Sequence, residues 1–114
     1  MFNMEEKFNV VFLDEVIEFF DRVEEKARYK IIFNIRKAKQ VNDRKLFKKL
    51  TDEIWEFRTF YNKTQYRLFA FWDKTDNSNV LVIATHGITK KTKKTPKKEI
   101  VKALKIMRKY FEEK

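Results

Sequence analysis

The spacing of apolar residues along the first third of the chain predicts a strand followed by two helices. A short apolar run at residues 8–13 predicts the strand. Apolar residues three and four positions apart then predict helices at residues 14–25 and 27–41, with Asp14 as the N-cap of the first. Because almost no residues separate the two helices, we expect them to form an antiparallel hairpin.

The middle of the chain changes to the composition and alternation that are typical of strands. Residues 54–61 and 64–73 are rich in aromatic residues and predict two strands joined by a tight turn at Asn62–Lys63. The stretch before them, residues 46–50, has the character of a short helical or irregular segment. A polar turn is expected at residues 74–79.

The last third of the chain predicts a buried strand and a final helix. A continuous apolar run at residues 80–85 predicts a central strand that ends at His86–Gly87. A basic loop, Lys90–Lys94, follows, and we expect Thr95 to be the N-cap and Pro96 the first residue of the last helix. The helix is indicated by apolar residues at helical spacing: Ile100, Ala103, Leu104, Met107 and Phe111.

These elements predict an α+β fold in the order β-α-α-β-β-β-α. The length of 114 residues favours a single domain covering residues 1–114. Strands two to four are expected to form an antiparallel meander, and the helices to cover one face of it.

The composition excludes several classes of active site. The chain has no cysteine and a single histidine, so neither a disulfide scaffold nor a common zinc site is expected. Its single glycine excludes a glycine-rich phosphate loop, and there is no serine nucleophile elbow. We therefore expect no metal and no cofactor. Neither a membrane span nor a signal peptide is expected, which favours a cytoplasmic protein.

The net charge of +10 is unevenly distributed along the chain. Residues 1–25 contain eight acidic residues against two basic ones, whereas residues 86–114 contain eleven basic residues against three acidic ones. A basic end of this kind is typical of a surface that binds a polyanion, RNA above all. The alternative is a solvated charged face.

Two arginines are candidates for a phosphate site. If the two middle strands pair through the Asn62–Lys63 turn, Arg58 and Arg67 lie opposite each other on one face. Like charges in that position destabilise a sheet unless an anion lies between them. A bound phosphate fits this requirement. The alternatives are two solvated arginines, or arginines paired with acids such as Glu56 and Asp73.

His86 and the lysines that follow it suggest a chemistry. A lone histidine is more often structural, but its pKa allows proton transfer near neutrality. RNA is cleaved without a metal when a base deprotonates the 2′-hydroxyl, cations stabilise the phosphate charge, and an acid protonates the leaving 5′-oxygen. Arginine, lysine and histidine can supply these roles. Most of the aromatic residues are expected to belong to the core.

Three motifs resemble one toxin family. They are Ile54–Arg58, Tyr66–Trp72 and the segment His86–Ile100, in which a strand ends in His-Gly, a Lys-Lys-Thr loop follows and Thr-Pro opens the last helix. Over residues 8–112 the chain resembles the RelE/ParE toxin superfamily, in its phage-derived Gp49-like branch close to the HigB toxins. The resemblance implies a RelE-like fold, with an antiparallel sheet, a helical hairpin and a C-terminal helix.

The resemblance also implies a function and partners. Such proteins are the toxins of bacterial type II toxin–antitoxin pairs, which cleave mRNA, usually in the ribosomal A site, and are silenced by a cognate antitoxin. Here we expect a helix-turn-helix antitoxin. The alternatives are a ParE-like gyrase inhibitor and a catalytically silent module that binds RNA or ribosomes. The acidic first helix is either a solvated face or a contact for a basic segment of the antitoxin.

Site residues follow from the same resemblance. It implies that Arg58 and Arg67 hold the phosphate. The basic segment around the scissile bond consists of His86, Lys90, Lys91 and Lys94, and further RNA contacts are expected from Lys93, Lys97 and Lys98. Other family members place a tyrosine or an acid near the C-terminus as a catalytic group, for which Tyr110 is the candidate here. The general base stays open between His86 and a lysine.

Overall fold

A computed structural model describes residues 7–75, 81–90 and 94–114 of the chain. Its elements in chain order are β1 (Asn9–Phe12), α1 (Asp14–Arg22), α2 (Glu25–Ala38), β2 (Phe47–Lys49), β3 (Trp55–Tyr61), β4 (Thr64–Asp73), β5 (Leu81–Lys90) and α3 (Lys97–Glu112). The described strands form one mixed sheet in the order β1-β5-β4-β3-β2. The parallel pair is β1 with β5, and the other neighbours are antiparallel. The fold is therefore α+β.

The helices lie on both faces of the sheet, so the expectation that they cover one face is wrong. Helices α1 and α2 pack on the face that carries Leu68 and Ala70 of β4. Helix α3 packs on the opposite face, where Phe69 and Phe71 contact its apolar stripe. Strand β4 is buried on both sides because apolar residues occupy both of its alternating positions. A strand of this kind needs a helical layer on each face.

Two stretches differ from the predicted elements. Residues 47–49 form an edge strand instead of a helical or irregular segment, because the Phe47 ring stacks on Phe57, its register partner across the strands. Strand β5 does not end at His86–Gly87 but continues to Lys90. Its register with β4 shifts by one residue at Thr85, between the pairs Phe69–His86 and Ala70–Ala84.

Both predicted N-caps are also wrong. Leu13 is the N-cap of α1, and Asp14 is its first helical residue. There the negative charge of Asp14 interacts favourably with the helix dipole. Pro96 is the N-cap of α3 instead of its first helical residue. Parts of the predicted turn at residues 74–79, of the predicted strand at 80–85 and of the basic loop Lys90–Lys94 lie outside the described residues.

The predicted hairpin between β3 and β4 is confirmed, including its register. Arg58 is the partner of Arg67, and Tyr61 is the partner of Thr64. A two-residue turn joins the strands, with positive φ angles of 50° at Asn62 and 62° at Lys63. Positive φ at both central positions is the conformation whose twist matches that of paired strands.

We expect Lys63→Gly to stabilise the protein by about 0.5–1 kcal/mol, because glycine adopts positive φ without the steric cost that lysine carries. The measurement is the midpoint of urea unfolding. Lys63→Ala is the matched control, since it removes the same side chain but keeps a Cβ at this φ. Stabilisation of both variants to the same degree would assign the effect to the side chain and not to the backbone.

Candidate functional site

Three cations surround one carboxylate on the α3 face of the sheet. Glu56 and Arg58 are two residues apart on β3 and so share this face. Arg67 is the register partner of Arg58, and Lys90 lies two residue pairs further towards the hairpin, at the end of β5. We call Glu56, Arg58, Arg67 and Lys90 the cation cluster. The antiparallel register of three adjacent strands brings it together.

Glu56 is the centre of the cation cluster. Its Oε1 atom lies 3.4 Å from Arg58 Nε and 3.5 Å from Arg67 Nε. Its Oε2 atom accepts a hydrogen bond of 2.8 Å from the Thr95 hydroxyl. The side chains of Glu56 and Arg67 are 3% and 1% exposed, whereas that of Arg58 is 26% exposed. Arg58 is therefore the arginine that faces solvent, and Arg67 is its buried neighbour on the next strand.

Lys90 completes the cluster from β5. Burial lowers the pKa of its ammonium group, the charges of Arg67 and Arg58 also lower it, and Glu56 opposes them. The Lys90 ammonium donates a hydrogen bond to the backbone carbonyl of Lys94. Lys90 is only partly buried. It therefore combines solvent access with a lowered tendency to hold its proton.

The cation cluster has more positive than negative charge. Arg58, Arg67 and Lys90 surround Glu56, which is the carboxylate that lies among them within the described residues. Burial also lowers the pKa of Arg67, with Glu56 opposing and Arg58 reinforcing the shift, although an arginine stays charged at physiological pH. Repulsion between partly desolvated cations is relieved by an anion. The arrangement is suited to binding a phosphate through Arg58 and Lys90.

His86 lies beneath α3 and not at the open surface. It is 2% exposed, and its ring stacks on Phe69 at 4.8 Å between centroids. Its Nδ1 atom is 2.9 Å from the Thr85 hydroxyl, and its Nε2 atom is 3.2 Å from a carboxylate oxygen of Glu99. Both ring nitrogens are engaged within the protein, so the geometry favours the structural interpretation of this histidine.

His86 makes folding sensitive to mild acid. Burial lowers its pKa below the ordinary value of 6.5, as does the charge of Lys102, while Glu99 and Glu15 oppose the shift. The stability that neutral His86 contributes is complete above pH 6.5 and declines as the pH falls towards the lowered folded-state pKa, because the unfolded chain then binds the proton more readily.

We expect the free energy of unfolding to be lower at pH 5.5 than at pH 7.5, and His86→Gln to reduce this difference. Urea unfolding at both pH values measures it. Glu113→Gln, at an exposed acid away from His86, is the control and should keep the wild-type difference. An unchanged pH dependence in His86→Gln would contradict the assignment.

Tyr110 does not join the cation cluster. Its hydroxyl donates a 2.6 Å hydrogen bond to Asp73 Oδ2, which Lys114 Nζ also contacts at 2.8 Å. Burial and the bond to Asp73 raise the pKa of Tyr110 to about 12. Asp73 lies six residues from Arg67 along β4, which corresponds to about 20 Å. Tyr110 anchors the end of α3 to the far end of β4, away from the candidate site.

Burial alone would raise the pKa of the Asp73 carboxyl, but hydrogen bonds from Lys114, Tyr110 and Thr75 hold it well below its ordinary value. Its contribution to stability is therefore present above the ordinary carboxyl pKa and is lost only as the pH falls towards the lowered value. This cluster is a structural contact between β4 and the C-terminus.

The remaining predicted site residues are lysines around the start of α3. Lys94, Lys97 and Lys98 are exposed. Lys91 and Lys93 lie outside the described residues. The residues before α3 are bonded to the sheet. The Thr95 hydroxyl donates a hydrogen bond to Glu56, and the Lys94 carbonyl accepts one from the Lys90 ammonium. The start of α3 is thus held beside the cation cluster.

Sequence reasoning missed the central role of Glu56 and the contact made by Thr95. The sequence predicts Glu56 only as an acid that could neutralise the arginines, although its spacing of two from Arg58 on a strand already places both on one face. Thr95 has the residue type of an N-cap, and the sequence carries no signal for a hydrogen bond to a side chain 39 residues away. Of the acids in the first helix, Glu15 pairs with Lys102 at 3.1 Å.

Within residues 7–75, 81–90 and 94–114, no group of three or more potential metal ligands comes together. Over the same ranges, no helix is both long and apolar enough to cross a membrane.

A family model matches most of the chain. The model of the family described as phage-derived protein Gp49-like matches residues 18–108. Neither the curated proteins nor the solved structures contain a significant match.

Proposed function

Because the chain belongs to the family of phage-derived Gp49-like proteins, we propose that it is the toxin of a type II toxin–antitoxin pair. In this proposal it is a metal-independent endoribonuclease that cleaves mRNA at the ribosome and so inhibits translation. It acts in the cytoplasm, as a single domain, and is silenced by a helix-turn-helix antitoxin.

The observation that carries the proposal is the cation cluster. Arg58 and Lys90 present accessible positive charge on one face of the sheet, and Arg67 adds a third charge on the strand between them. One carboxylate, Glu56, offsets only part of this charge. A phosphodiester that bends across the sheet receives charge-assisted hydrogen bonds from the Arg58 guanidinium and the Lys90 ammonium.

The proposed reaction is internal transesterification. The 2′-hydroxyl loses its proton and its oxygen attacks the adjacent phosphorus, while the bond from phosphorus to the 5′-oxygen breaks. The leaving oxygen takes up a proton. The products are a 2′,3′-cyclic phosphate and a 5′-hydroxyl. Arg58 stabilises the extra charge that develops on the phosphate oxygens in the transition state.

Lys90 is the proposed proton-transfer group. The lowered pKa enlarges the fraction of molecules in which Lys90 is a neutral amine. In that fraction Arg58 holds the phosphate and the Lys90 amine takes the 2′-hydroxyl proton; the ammonium so formed then protonates the leaving 5′-oxygen. His86 has the right intrinsic chemistry, but its 2% exposure and its two engaged nitrogens argue against contact with RNA. In this proposal Glu56 is a positioning residue that aligns the two arginines.

The lysines near the start of α3 are proposed to bind the RNA backbone. Lys94, Lys97 and Lys98 are exposed beside the cluster, and Lys91 and Lys93 belong to the same basic segment. Contacts of this kind are independent of sequence. We expect binding to ribosomes or RNA to weaken with salt by about one power of salt concentration per neutralised phosphate.

A second candidate is a module that binds RNA or ribosomes without catalysis. The burial of Glu56 and Arg67 favours it, since neither side chain reaches solvent. Both candidates use the same surface, and they differ in whether transcripts are cut. A gyrase inhibitor differs from both, because its target is a protein and its effect is on DNA.

Induced expression with mapping of mRNA 5′ ends tests the proposed function. We expect the wild type to arrest growth and to produce new internal 5′ ends, and Arg58→Ala to abolish both. Arg58 is a better choice than Arg67, because Arg67 is 1% exposed and pairs with the buried Glu56 carboxylate. Removal of Arg67 would leave that buried charge less compensated and destabilise the protein.

Arg36→Ala is the matched control, since Arg36 is an exposed arginine on α2, on the other side of the sheet. It should remain as toxic as the wild type. Growth arrest with intact transcripts would refute the nuclease, and loss of plasmid supercoiling in the same cells would point to gyrase.

A further inference from the structure

Phe60 lies beside the cation cluster, on the exposed end of β3. It follows Arg58 by two positions on β3 and therefore shares its face, at a distance of about 7 Å along the strand. Across the sheet it is the partner of Gln65, whose other partner is Lys90. Arg58 is thus the neighbour of Phe60 along its own strand, and Lys90 lies on the strand beyond Gln65.

The Phe60 side chain is unusually open for a phenylalanine on a strand, at 61% exposed. It belongs to neither of the two core clusters. No other aromatic ring in the described part of the chain stacks on it. A large apolar side chain left in water gives up the free energy that burial would supply. Its position is explained if a ligand covers the ring.

The surroundings of Phe60 define the chemistry of that ligand. Arg58 supplies positive charge next to Phe60, and Lys90 supplies it from the strand beyond Gln65. The nearby carboxylate of Glu56 is 3% exposed and already engaged by arginines. A ligand that fits must carry a negative charge and, about 7 Å from it, a flat apolar face. A nucleotide of single-stranded RNA has both, since its phosphate is anionic and its base has a π-face.

We propose that the Phe60 ring stacks on the unpaired base of the nucleotide next to the phosphate held by Arg58 and Lys90. This inference rests on the proposed function and adds to it a base-binding residue. Stacking tolerates every base, so Phe60 strengthens binding and holds the strand extended across the sheet without selecting a codon. The geometry is that of sheet surfaces whose aromatic residues stack on bases.

Binding of two oligonucleotides by fluorescence anisotropy tests the proposal. One is a labelled single-stranded RNA with 2′-O-methyl groups, which cannot be cleaved through the 2′-oxygen. The other has the same length but is abasic, so it keeps the phosphates and lacks the bases. We expect Phe60→Ala to weaken binding of the first about tenfold and to leave binding of the second unchanged.

Matched variants separate stacking from other effects. Phe60→Trp should bind the RNA at least as tightly as the wild type. Phe33→Ala removes another phenylalanine that is 58% exposed, on α2 on the other side of the sheet, and should change neither affinity. Because the Phe60 side chain is exposed, the variants should remain folded, which circular dichroism verifies.

The outcomes also separate this inference from the proposed function. If Arg58→Ala weakens both oligonucleotides but Phe60→Ala weakens neither, the phosphate site stands and stacking is wrong. An equal loss on both oligonucleotides in Phe60→Ala also overturns stacking. If Arg58→Ala weakens neither, the proposed phosphate site fails. A Phe60→Ala variant with wild-type RNA binding but reduced binding to the antitoxin would assign the ring to a protein contact instead.

Discussion

Lys90→Arg is expected to bind RNA like the wild type and to cleave it about 10²–10⁴ times more slowly. Arginine keeps the positive charge that contacts the phosphate, but it does not lose its proton at physiological pH. Lysine at this position has a pKa lowered by burial and by the two neighbouring arginines. The substitution therefore removes proton transfer and preserves the charge.

Two measurements on the same protein check this expectation. The first is the affinity for ribosomes or for 2′-O-methyl RNA, which should change by no more than about threefold, since the charge is retained. The second is the rate at which a defined mRNA is cut during translation. Lys97→Arg is the control, because this lysine is exposed at the start of α3 and should behave as wild type in both.

The pH dependence of cleavage gives a further check on Lys90. If its neutral form takes the 2′-hydroxyl proton, the rate should rise with pH and level off below the ordinary lysine pKa of 10.5. Undiminished cleavage by Lys90→Arg would remove Lys90 from proton transfer and leave His86 and the other lysines of the basic segment as the candidates.

Gly87→Ala is expected to destabilise the protein by about 2–4 kcal/mol, which is a large part of the stability of a small domain. A Cβ atom at this position comes within 2.5 Å of Phe19 Cδ2 and 2.7 Å of Leu68 Cδ2. Both side chains are buried, at 3% and 1% exposed. The glycine allows α1 to approach β5 closely, so the new methyl group has no space.

Thermal and urea unfolding measure this effect, and a loss of about 10 °C in Tm is expected. Phe19→Leu in the same chain should recover part of the loss, because it shortens the ring that the methyl group meets. Thr89→Ala is the control at an exposed position of the same strand and should shift stability by less than about 0.5 kcal/mol. A stable Gly87→Ala variant would contradict the packing of α1 on β5.

Local rules were enough to predict the hairpin that builds the site. The Asn62–Lys63 turn and the alternation on both sides of it determine the register of two strands, and the structure has Arg58 opposite Arg67 as predicted. Such a register follows from a few neighbouring residues, because a two-residue turn fixes which positions face each other.

Long-range packing decided the features that were predicted wrongly. A glycine after an apolar run is typical of the end of a strand. In the structure Gly87 instead leaves space for the ring of Phe19, which lies 68 positions earlier in the chain. The placement of α3 on the second face depends on how the sheet buries Phe69 and Phe71. Neither effect is visible in a window of neighbouring residues.

The candidate site was predicted in part. Its arginines follow from the hairpin, and Lys90 joins them because β5 runs four residues past His86. His86 itself leaves the site because the same strand carries it beneath α3, against Glu99. The course of β5 thus places Lys90, and not His86, beside the two arginines.

The most direct test of the account is the chemistry of the RNA ends that the purified wild-type protein produces on a defined mRNA in a translation reaction. We expect new fragments with 5′-hydroxyl ends and 2′,3′-cyclic phosphates, and none when the 2′-oxygen at the cut site is methylated. Fragments with 5′-phosphates, or an intact mRNA at a protein concentration that stops translation, would contradict it.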